Sequence, residues 1–363
     1  MNFTATRSTG KRVLAAAAIA SLTAIGLAAC SGSGSGSDKV GVSLIVKTTT
    51  NPYFVSMEDA AKADAAKAGV NLTLAAGKQD GDVATQVQAI ESAIGRGDKG
   101  ILITPNGPGV QNAIDKARKA GLYVIALDTV PTPPSSVDIT FATDNFAAGE
   151  AIGKWTAAQL NGKAADIAML DLFNTQVVSV DLNRDQGFLK GMGIAVPDSS
   201  KNGSEAKSGS YTGGTGGSYT IAGHQPTNGD AADGRTAMET ILAKDPNVNV
   251  VYTINEPAAY GAYQALQAAG KAKGTILVSI DGGCTGVSQV KSGIIGATSQ
   301  QYPSKMASLG MESIVKLSKT GEKPKTSSGL DFYNTGSRLV TNTPAPNLTS
   351  ITPDDASKIC WGK

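Results

Sequence analysis

From residue 40 onward, short apolar runs alternate with segments of helical periodicity, and this alternation restricts the possible folds more than any other feature. An apolar run at 42–46 predicts a buried strand, the Ala-rich segment 55–68 predicts a helix, and 72–76 predicts a second strand. The order continues, with further strands predicted at 100–105, 122–128, 139–143, 167–172, 219–222, 248–254, 276–280 and 294–299. Such a chain forms parallel strands, with right-handed crossovers and helices on both sheet faces. We therefore predict an α/β fold with two Rossmann-like lobes.

The first 29 residues are typical of an export signal. Three cations precede residue 13, and the stretch 13–29 is uncharged and rich in Ala, Leu and Ile, which predicts a secretory signal peptide at 1–29. The run ends Leu-Ala-Ala-Cys30 and resembles the bacterial lipobox, in which the cysteine becomes lipid-modified. We expect a lipoprotein anchored through Cys30 to the outer face of the cytoplasmic membrane, with 30–38 as a flexible Ser/Gly tether.

Charge and residue counts argue against several functions. Without residues 1–29, 29 basic residues face 30 acidic ones, so no basic surface for nucleic acid is indicated. The single histidine, His224, argues against a His-based metal site or a catalytic triad, and we predict neither a metal nor a cofactor. If Cys30 carries lipid, then Cys284 and Cys360 remain as an even pair in an exported chain, and a single disulfide is expected.

The first predicted strand leads into the stretch Lys-Thr-Thr-Thr-Asn-Pro-Tyr-Phe at 47–54. One interpretation is ligand contact, because an amide and two adjacent aromatics follow the strand directly. The alternative is structural: Asn51 caps the following helix, Pro52 is its first residue, and Tyr53 and Phe54 are ordinary packing. The stretch alone does not decide between them.

Ligands of open parallel sheets lie beyond the carboxyl ends of the strands, and polar residues follow several of the predicted strands. They are Lys47 with Asn51, Asp128, the run 171–176, Asn255 with Glu256, Asp281, and Gln300 with Gln301. Any one of them alone is more commonly a cap or turn residue. Together, carboxylates and amides that can bind vicinal hydroxyls, Arg184 as a two-pronged donor, and aromatics that can cover a ring face predict a carbohydrate site.

The motifs at these strand ends resemble those of a known family. They are the run at 47–54, Leu-Asp at 127–128, Asn-Arg-Asp-Gln-Gly-Phe at 183–188, Thr-Ile-Asn-Glu-Pro at 253–257, Ser-Ile-Asp-Gly-Gly at 279–283 and Ala-Thr-Ser-Gln-Gln-Tyr-Pro at 297–303. Over residues 40–319 the chain resembles the substrate-binding proteins of sugar ABC transporters, in the ribose-like cluster with the type I periplasmic-binding fold. The run 174–188 and the Asp-Gly-Gly-Cys turn look closest to the fructose-import binding proteins.

The resemblance implies roles for individual residues. In the first lobe, Asn51 and Asp128 look like partners of ring hydroxyls, and Tyr53 and Phe54 look like stacking aromatics. Their counterparts in the second lobe would be Arg184, Asn255, Asp281 and Gln301, with Asn174, Thr175 and Asn228 on the pocket wall.

The chain also departs from the ribose-binding pattern, which argues against ribose itself. Lys47 stands where that pattern has Ser, Thr129 where it has Arg, and Gly229 and Ile280 where it has aromatics. Lys47 is either an additional hydroxyl donor or a solvated rim residue.

The resemblance further implies discontinuous lobes joined by a three-segment hinge. We expect a first lobe of 39–143 with 302–330, a second lobe of 144–301 with 331–345, and a surface tail at 346–363 tied through Cys360 to Cys284. The crossovers would lie near 143–144, 301–302 and 330–334. The Ser/Gly-rich segment 197–218 lacks the Gly-Lys-Ser/Thr of a phosphate loop, so we predict a mobile surface insertion.

By this resemblance the protein is a monomeric sugar carrier that closes around a monosaccharide, with fructose favoured, and delivers it to ABC permease subunits. Ribose, xylose, another hexose or a polyol is the alternative ligand, and a sensor kinase the alternative recipient. A carbohydrate-active enzyme is a rival function, because Asp128, Glu256 and Asp281 can in principle form a glycosidase-like carboxylate pair. A sugar-responsive repressor would need an N-terminal helix-turn-helix where this chain has a signal and Cys30.

Overall fold

The computed structural model of the protein describes residues 39–362. The predicted signal peptide, the lipidation site Cys30 and the tether at 30–38 lie outside the described residues. The strands are β1 (Gly41–Val46), β2 (Asn71–Ala76), β3 (Gly100–Ile103), β4 (Tyr123–Leu127), β5 (Ile139–Ala142), β6 (Ala165–Asp171), β7 (Ser208–Tyr211), β8 (Gly217–Pro226), β9 (Val250–Thr253), β10 (Ile276–Asp281), β11 (Ala297–Gln300), β12 (Tyr333–Asn334) and β13 (Arg338–Thr341). The α-helices are α1 (Pro52–Ala68), α2 (Val83–Arg96), α3 (Gln111–Lys119), α4 (Asn145–Leu160), α5 (Ser179–Met192), α6 (Ala231–Lys244), α7 (Glu256–Ala268), α8 (Cys284–Lys291), α9 (Pro303–Thr320) and α10 (Pro353–Ala356).

Two sheets form two lobes, which confirms the predicted fold class. The first sheet has the strand order β12-β5-β4-β3-β1-β2, and all of its neighbouring strands are parallel. The second has the order β13-β11-β10-β9-β6-β8-β7 and is parallel except at its two edges, where β13 and β7 pair antiparallel. In each sheet the carboxyl ends of the parallel strands lie along one edge, where ligands bind in such folds.

Each sheet is covered by helices on both faces because its strands are apolar on both sides. In β1, Leu44 packs into a cluster with α1 and α9, while its neighbour Ile45 packs into a cluster with α2 and α3 on the opposite face. Strands buried on both faces appear in a sequence as continuous apolar runs. This is why the runs predicted the strand positions closely.

Several helices begin at polar residues that directly follow a strand or a strand loop. Asn51 accepts a hydrogen bond from the Tyr53 amide at the start of α1, and Asn255 accepts one from the Ala258 amide at the start of α7. Such a side chain satisfies one of the amide donors that a helix start leaves unpaired. The local sequence thereby fixes the turn that brings each side chain to the carboxyl edge of its sheet.

Helices α4 and α5 of the second lobe pack at unusually short range through glycines. Gly149 and Gly153 of α4 face the α5 backbone, and Gly187 and Gly191 of α5 face the α4 backbone. A Cβ atom on any of them would overlap the facing main chain. The glycines therefore set the distance at which α5, which carries Arg184, lies against the lobe.

The chain crosses between the lobes at three places. The first two crossings, after β5 and after β11, fall at 143–144 and 301–302. The third differs from the predicted boundary, because Tyr333 and Asn334 pair with β5 in the first sheet and the crossing follows them, before β13. The assignment of 331–334 to the second lobe is therefore wrong; the two-residue strand β12 has no apolar run to mark it.

The prediction of a mobile surface insertion at 197–218 is wrong for its second half. Residues 208–211 form β7, which pairs antiparallel with β8 and closes the edge of the second sheet. Tyr211 is 1% exposed in the lobe core, and its hydroxyl donates to the Lys163 carbonyl. The glycine-rich turn at 213–217 joins the two strands.

The C-terminal tail returns to the interface between the lobes instead of lying wholly on the surface. Cys360 is joined to Cys284 at the start of α8. The next residue, Trp361, packs edge-on against Tyr53 of the first lobe, with ring centroids 5.2 Å apart, and its indole N–H donates to the Gln301 carbonyl. Across residues 39–362, none of the helices combines the length and apolar character needed to cross a membrane.

Candidate functional site

A small closed cavity lies between the lobes, at the facing carboxyl edges of the two sheets. Its volume is about 30 Å³, and each lobe contributes six residues. From the first lobe these are Lys47, Asn51, Tyr53, Phe54, Asp80 and Asp128; from the second they are Leu172, Val180, Arg184, Ile254, Asn255 and Asp281. The volume corresponds to about one water molecule, so the polar side chains contact one another and a larger ligand requires the lobes to separate.

In the first lobe, a buried ion pair forms one wall. The Lys47 ammonium lies 3.4 Å from the Asp128 carboxylate, and both side chains are 5% exposed. Asp128 has a φ of 66°, and the Thr129 hydroxyl donates to its carboxylate at 2.8 Å. Thr129 thus positions Asp128 and does not itself line the cavity. Lys47 is a buried wall residue, so its interpretation as a solvated rim residue is wrong.

The structural interpretation of the stretch 47–54 is confirmed, and some of the same residues also line the cavity, so their contact with a ligand stays a prediction. Asn51 is the N-cap of α1 with Pro52 as its first residue, yet Asn51 also lines the cavity. Tyr53 and Phe54 belong to the core of the first lobe and pack edge-on at 5.2 Å, while part of each ring faces the cavity. Burial, and after it the Asp128 carboxylate, raises the pKa of Tyr53, so this side chain stays a neutral phenol.

In the second lobe, Arg184 of α5 and Asp281 at the end of β10 form the opposite wall. The Arg184 guanidinium donates to the Asn145 side chain at 2.7 Å and to the Ile254 carbonyl at 2.9 Å, and lies 3.9 Å from Asp281. Burial raises the pKa of Asp281 to about 7, against the opposing charge of Arg184. Each lobe therefore presents a carboxylate that has a cation beside it.

Two other predicted residues of this lobe act through their neighbours. The Gln301 amide donates to Asp281 at 3.0 Å, but Gln301 does not line the cavity. Asn255 does line it, while its side chain accepts from the Ala258 amide and donates to the Gly229 carbonyl at 2.9 Å. In this arrangement Gln301 holds the acid in place, and Asn255 fixes the turn at 227–230.

Three predicted residues lie outside the closed cavity. Asn174 and Thr175 are exposed, and Thr175 borders a surface pocket with residues 78–82 of the first lobe. Asn228 is also exposed and donates to Asp233 at 2.7 Å. Asn174 and Thr175 do not line the cavity, because the loop after β6 turns toward solvent before α5 begins. Asn228, in the turn after β8, borders the wider cleft of about 510 Å³ that adjoins the cavity.

Sequence reasoning missed Asp80, which follows β2 and lines the cavity. One of its carboxylate oxygens has no hydrogen-bond partner, and burial raises its pKa to about 6, opposed by Lys47. Its position beyond a strand end is the signal that would have identified it. Leu172, Val180 and Ile254 were missed too, because an apolar wall residue has the same sequence pattern as a core residue.

The lobes touch directly beside the cavity. The Gln176 amide donates to the Asn106 carbonyl at 3.1 Å, and the Ser179 hydroxyl donates to the Val130 carbonyl at 2.8 Å. A wider cleft of about 510 Å³ adjoins the cavity and shares Asn51, Asp80 and Asp281 with it, with Trp361 on its wall.

Glu256 is the third acid that the glycosidase hypothesis would use, but its carboxylate is held by hydrogen bonds within the protein. Its carboxylate accepts from the amides of Gly282 and Gly283 and from the Thr298 hydroxyl, at 2.9 to 3.1 Å. Burial, and after it the Asp281 charge, raises its pKa to about 8. These bonds hold the turn after β10, so Glu256 positions Asp281.

A cleft between two sheet edges, with matching polar side chains from both lobes, defines a two-lobe ligand-binding protein. Residues 42–323 match the family model described as periplasmic binding protein domain, and the chain belongs to this family of extracytoplasmic binding proteins. The ribose import binding protein of Haemophilus influenzae is 30% identical over 316 residues, covering 87% of this chain and 97% of that protein. The D-allose-binding periplasmic protein of Escherichia coli is 23% identical, covering 82% and 91%. These relatives are binding proteins, as predicted, and not enzymes.

Solved structures agree with the fold. A solute-binding protein from Agrobacterium vitis with bound D-fucose superposes with a TM-score of 0.71 at 23% identity, covering 88% of this chain and all of that one. A second protein from the same organism, bound to α-D-tagatopyranose, gives 0.70 at 21% identity over 90% of this chain. At this identity the likeness concerns the fold.

Proposed function

We propose that the protein captures a monosaccharide between its two lobes and delivers it to an ABC import permease. The observation that carries this proposal is the symmetric pair of walls, Lys47 with Asp128 and Arg184 with Asp281, one from each lobe. A sugar hydroxyl donates to a carboxylate and accepts from a cation, so both groups of each wall can bind hydroxyls without leaving an unpaired charge. The relatives named for ribose and allose support the choice of a sugar.

Fructose is the favoured sugar, with ribose, allose and other hexoses as competitors. The support is the likeness of residues 174–188 and of the turn after β10 to fructose-import binding proteins. Lys47 and Thr129 depart from the ribose pattern, and both act on the same side chain, Asp128. A changed environment of Asp128 is a physical reason for a preference other than ribose.

The mechanism is hinge closure. In an open form the crossings at 143–144, 301–302 and 335–337 let the lobes separate, the sugar enters through the adjoining cleft, and closure surrounds it with both walls. Closure also joins the surfaces of the two lobes into the face that a permease would recognise. Anchoring by lipid at Cys30 would keep the carrier beside its permease.

Isothermal titration calorimetry over a panel of fructose, ribose, allose, galactose, xylose and polyols tests the proposal. We expect one sugar per chain, the tightest binding for fructose or a related hexose, and loss of detectable binding in Arg184→Ala. Arg235→Ala is the matched control, because Arg235 forms only an exposed ion pair with Glu239 on α6. Retained affinity in Arg184→Ala would contradict the site. Sugar turnover by the purified protein would contradict the binding function.

A further inference from the structure

A second cluster of polar side chains lies in the second lobe, away from the walls of the cavity. It consists of Asp171 at the end of β6, Asp185 on α5, Glu205 in the segment before β7, and His224 on β8. His224 Nδ1 lies 2.7 Å from an Asp171 oxygen and 3.8 Å from Asp185, and Nε2 lies 2.7 Å from Glu205. Four separate segments therefore meet around one imidazole.

None of the three carboxylates of the cluster is fully satisfied by protein groups. Asp185 is 0% exposed, and neither of its oxygens has a hydrogen-bond partner. One oxygen each of Asp171 and Glu205 is also buried without a partner. Among residues 39–362, no lysine or arginine forms an ion pair with any of the three. A buried carboxylate needs a proton or a cation as partner, and a single imidazolium does not compensate three.

We propose that this cluster binds one divalent transition-metal ion, with zinc as the ion that its ligands suit best. His224 Nδ1, Asp171 and Asp185 would be the ligands, while Glu205 would hold the Nε2 proton of His224. Mixed imidazole and carboxylate ligands favour zinc over calcium or magnesium, which prefer oxygen alone. A carboxylate on the far nitrogen of a ligating histidine is the usual support of such a site, since it fixes the tautomer.

The distances agree with a shared ion. Ligand atoms that each lie about 2.1 Å from one tetrahedral ion are separated by about 3.4 Å. One ligand atom each from Asp171, Asp185 and His224 lie within 4.8 Å of one another. The 2.7 Å contact between Asp171 and Nδ1 is a hydrogen bond, so the ion replaces the Nδ1 proton and Asp171 withdraws by side-chain rotation. The 23% exposed imidazole leaves a path for entry.

The site would tie the insertion to the lobe and support the sugar site from behind. Gly203 of the insertion lies against the His224 ring, and Glu205 follows two residues later. Asp185 follows Arg184 on α5, and Asp171 precedes Leu172, so two ligands each adjoin a residue of the cavity wall. The sequence argued against a His-based metal site from the single histidine, but here carboxylates supply the other ligands.

The single histidine allows a direct test on the unmodified protein. Tag-free protein with ¹⁵N-labelled histidine is stripped with a chelator and followed by NMR during addition of ZnCl₂, with MgCl₂ in parallel. We expect zinc to shift the Nδ1 resonance and abolish its proton coupling at one equivalent, while the Nε2 proton stays and magnesium has no effect. An Nδ1–H signal that persists at saturating zinc would overturn the proposal, since a proton then fills the site.

Substitutions within the cluster test whether the zinc ion binds at this place in the protein. By calorimetry, Asp185→Asn and Glu205→Gln should each weaken zinc binding by at least about tenfold, as expected when a ligand or its supporting carboxylate is lost. Asp198→Asn is the control, because Asp198 is a partly exposed acid of the same insertion whose side chain bonds Ser200 and Lys201 and not the cluster. Zinc binding that is equally tight in all three variants would place the ion elsewhere and refute the site.

Discussion

Asp128→Asn is the sharpest test of the cavity, because it removes one charge while keeping the shape of the side chain. The carboxylate is buried, its partners in the protein are Lys47 at 3.4 Å and Thr129 at 2.8 Å, and it faces the cavity. Hydrogen bonds to a charged group contribute about 1.5 to 3 kcal/mol each. If Asp128 binds one or two sugar hydroxyls, the substitution should cost about 2 to 4 kcal/mol, or about 30- to 1,000-fold in Kd.

The substitution also leaves Lys47 without its partner, so a second variant separates the two effects. Recovery of affinity in the double variant Lys47→Met with Asp128→Asn would show that affinity falls only because Lys47 is stranded, and that neither side chain contacts the sugar. If Asp128 contacts the sugar, the double variant stays weak. Calorimetry with the sugar that binds most tightly measures the Kd of the single and the double variant, and urea unfolding measures their stability in parallel.

Asp98→Asn is the matched control. Asp98 is a buried carboxylate of the same lobe that accepts from Ser43 at 2.7 Å and from Arg96 at 2.9 Å, at the end of the sheet away from the cavity. The Asp98→Asn protein should be less stable than the wild type and should keep its affinity for sugar. The assignment of Asp128 would be refuted by a Kd within about threefold of the wild type in a folded Asp128→Asn protein, or by recovery in the double variant.

Three further predictions concern stability and covalent structure. Because burial raises the pKa of Asp80 to about 6 from 3.8, its contribution to stability is present at acid pH and is lost as pH rises through 6, by at most about 3 kcal/mol. Asp80→Asn should therefore be more stable than the wild type at pH 7.5 but not at pH 4 in urea unfolding, and parallel pH curves would contradict this. Thiol titration of the unfolded, unreduced chain from residue 31 onward should find no free thiol if Cys284 and Cys360 are paired, and Cys360→Ser should expose one and cost about 2 to 4 kcal/mol. Gly149→Ala should cost at least about 1 to 3 kcal/mol, because its Cβ overlaps the α5 backbone. Gly95→Ala, in the exposed last turn of α2, should instead stabilise by about 0.5 to 1 kcal/mol, and equal effects would refute the close-packing argument.

Most of the fold could be predicted from the sequence because strands buried on both faces are marked by continuous apolar runs. The exceptions are elements without such a run. The strand β12 has only two residues, and β7 places a single large apolar residue, Tyr211, among serines and glycine. Both are held at sheet edges by backbone pairing, which local composition does not reveal.

The site could be predicted in part, because polar residues at strand ends converge by topology. Eight of the twelve cavity residues are predicted from the resemblance and the strand ends, and Asp80 also follows a predicted strand but was missed. The direction in which a loop turns could not be predicted from these rules. Asn174 and Asn228 are exposed to solvent although they adjoin strands that end at the site. Whether Leu172 faces a cavity or a core depends on the opposite lobe, which no local pattern encodes.

The packing of Trp361 has an optical consequence. The chain contains two tryptophans, and Trp155 is buried in the core of the second lobe, where a hinge movement does not reach it. Trp361 is fixed to the second lobe through the neighbouring Cys360, but its ring rests on Tyr53 of the first lobe. If the lobes separate as proposed, the partly buried indole loses its contact with Tyr53 and becomes more exposed to water, and closure restores that contact. On the proposed mechanism, Trp361 would serve as an intrinsic fluorophore for following sugar capture in real time, without a label and against the background of the buried Trp155.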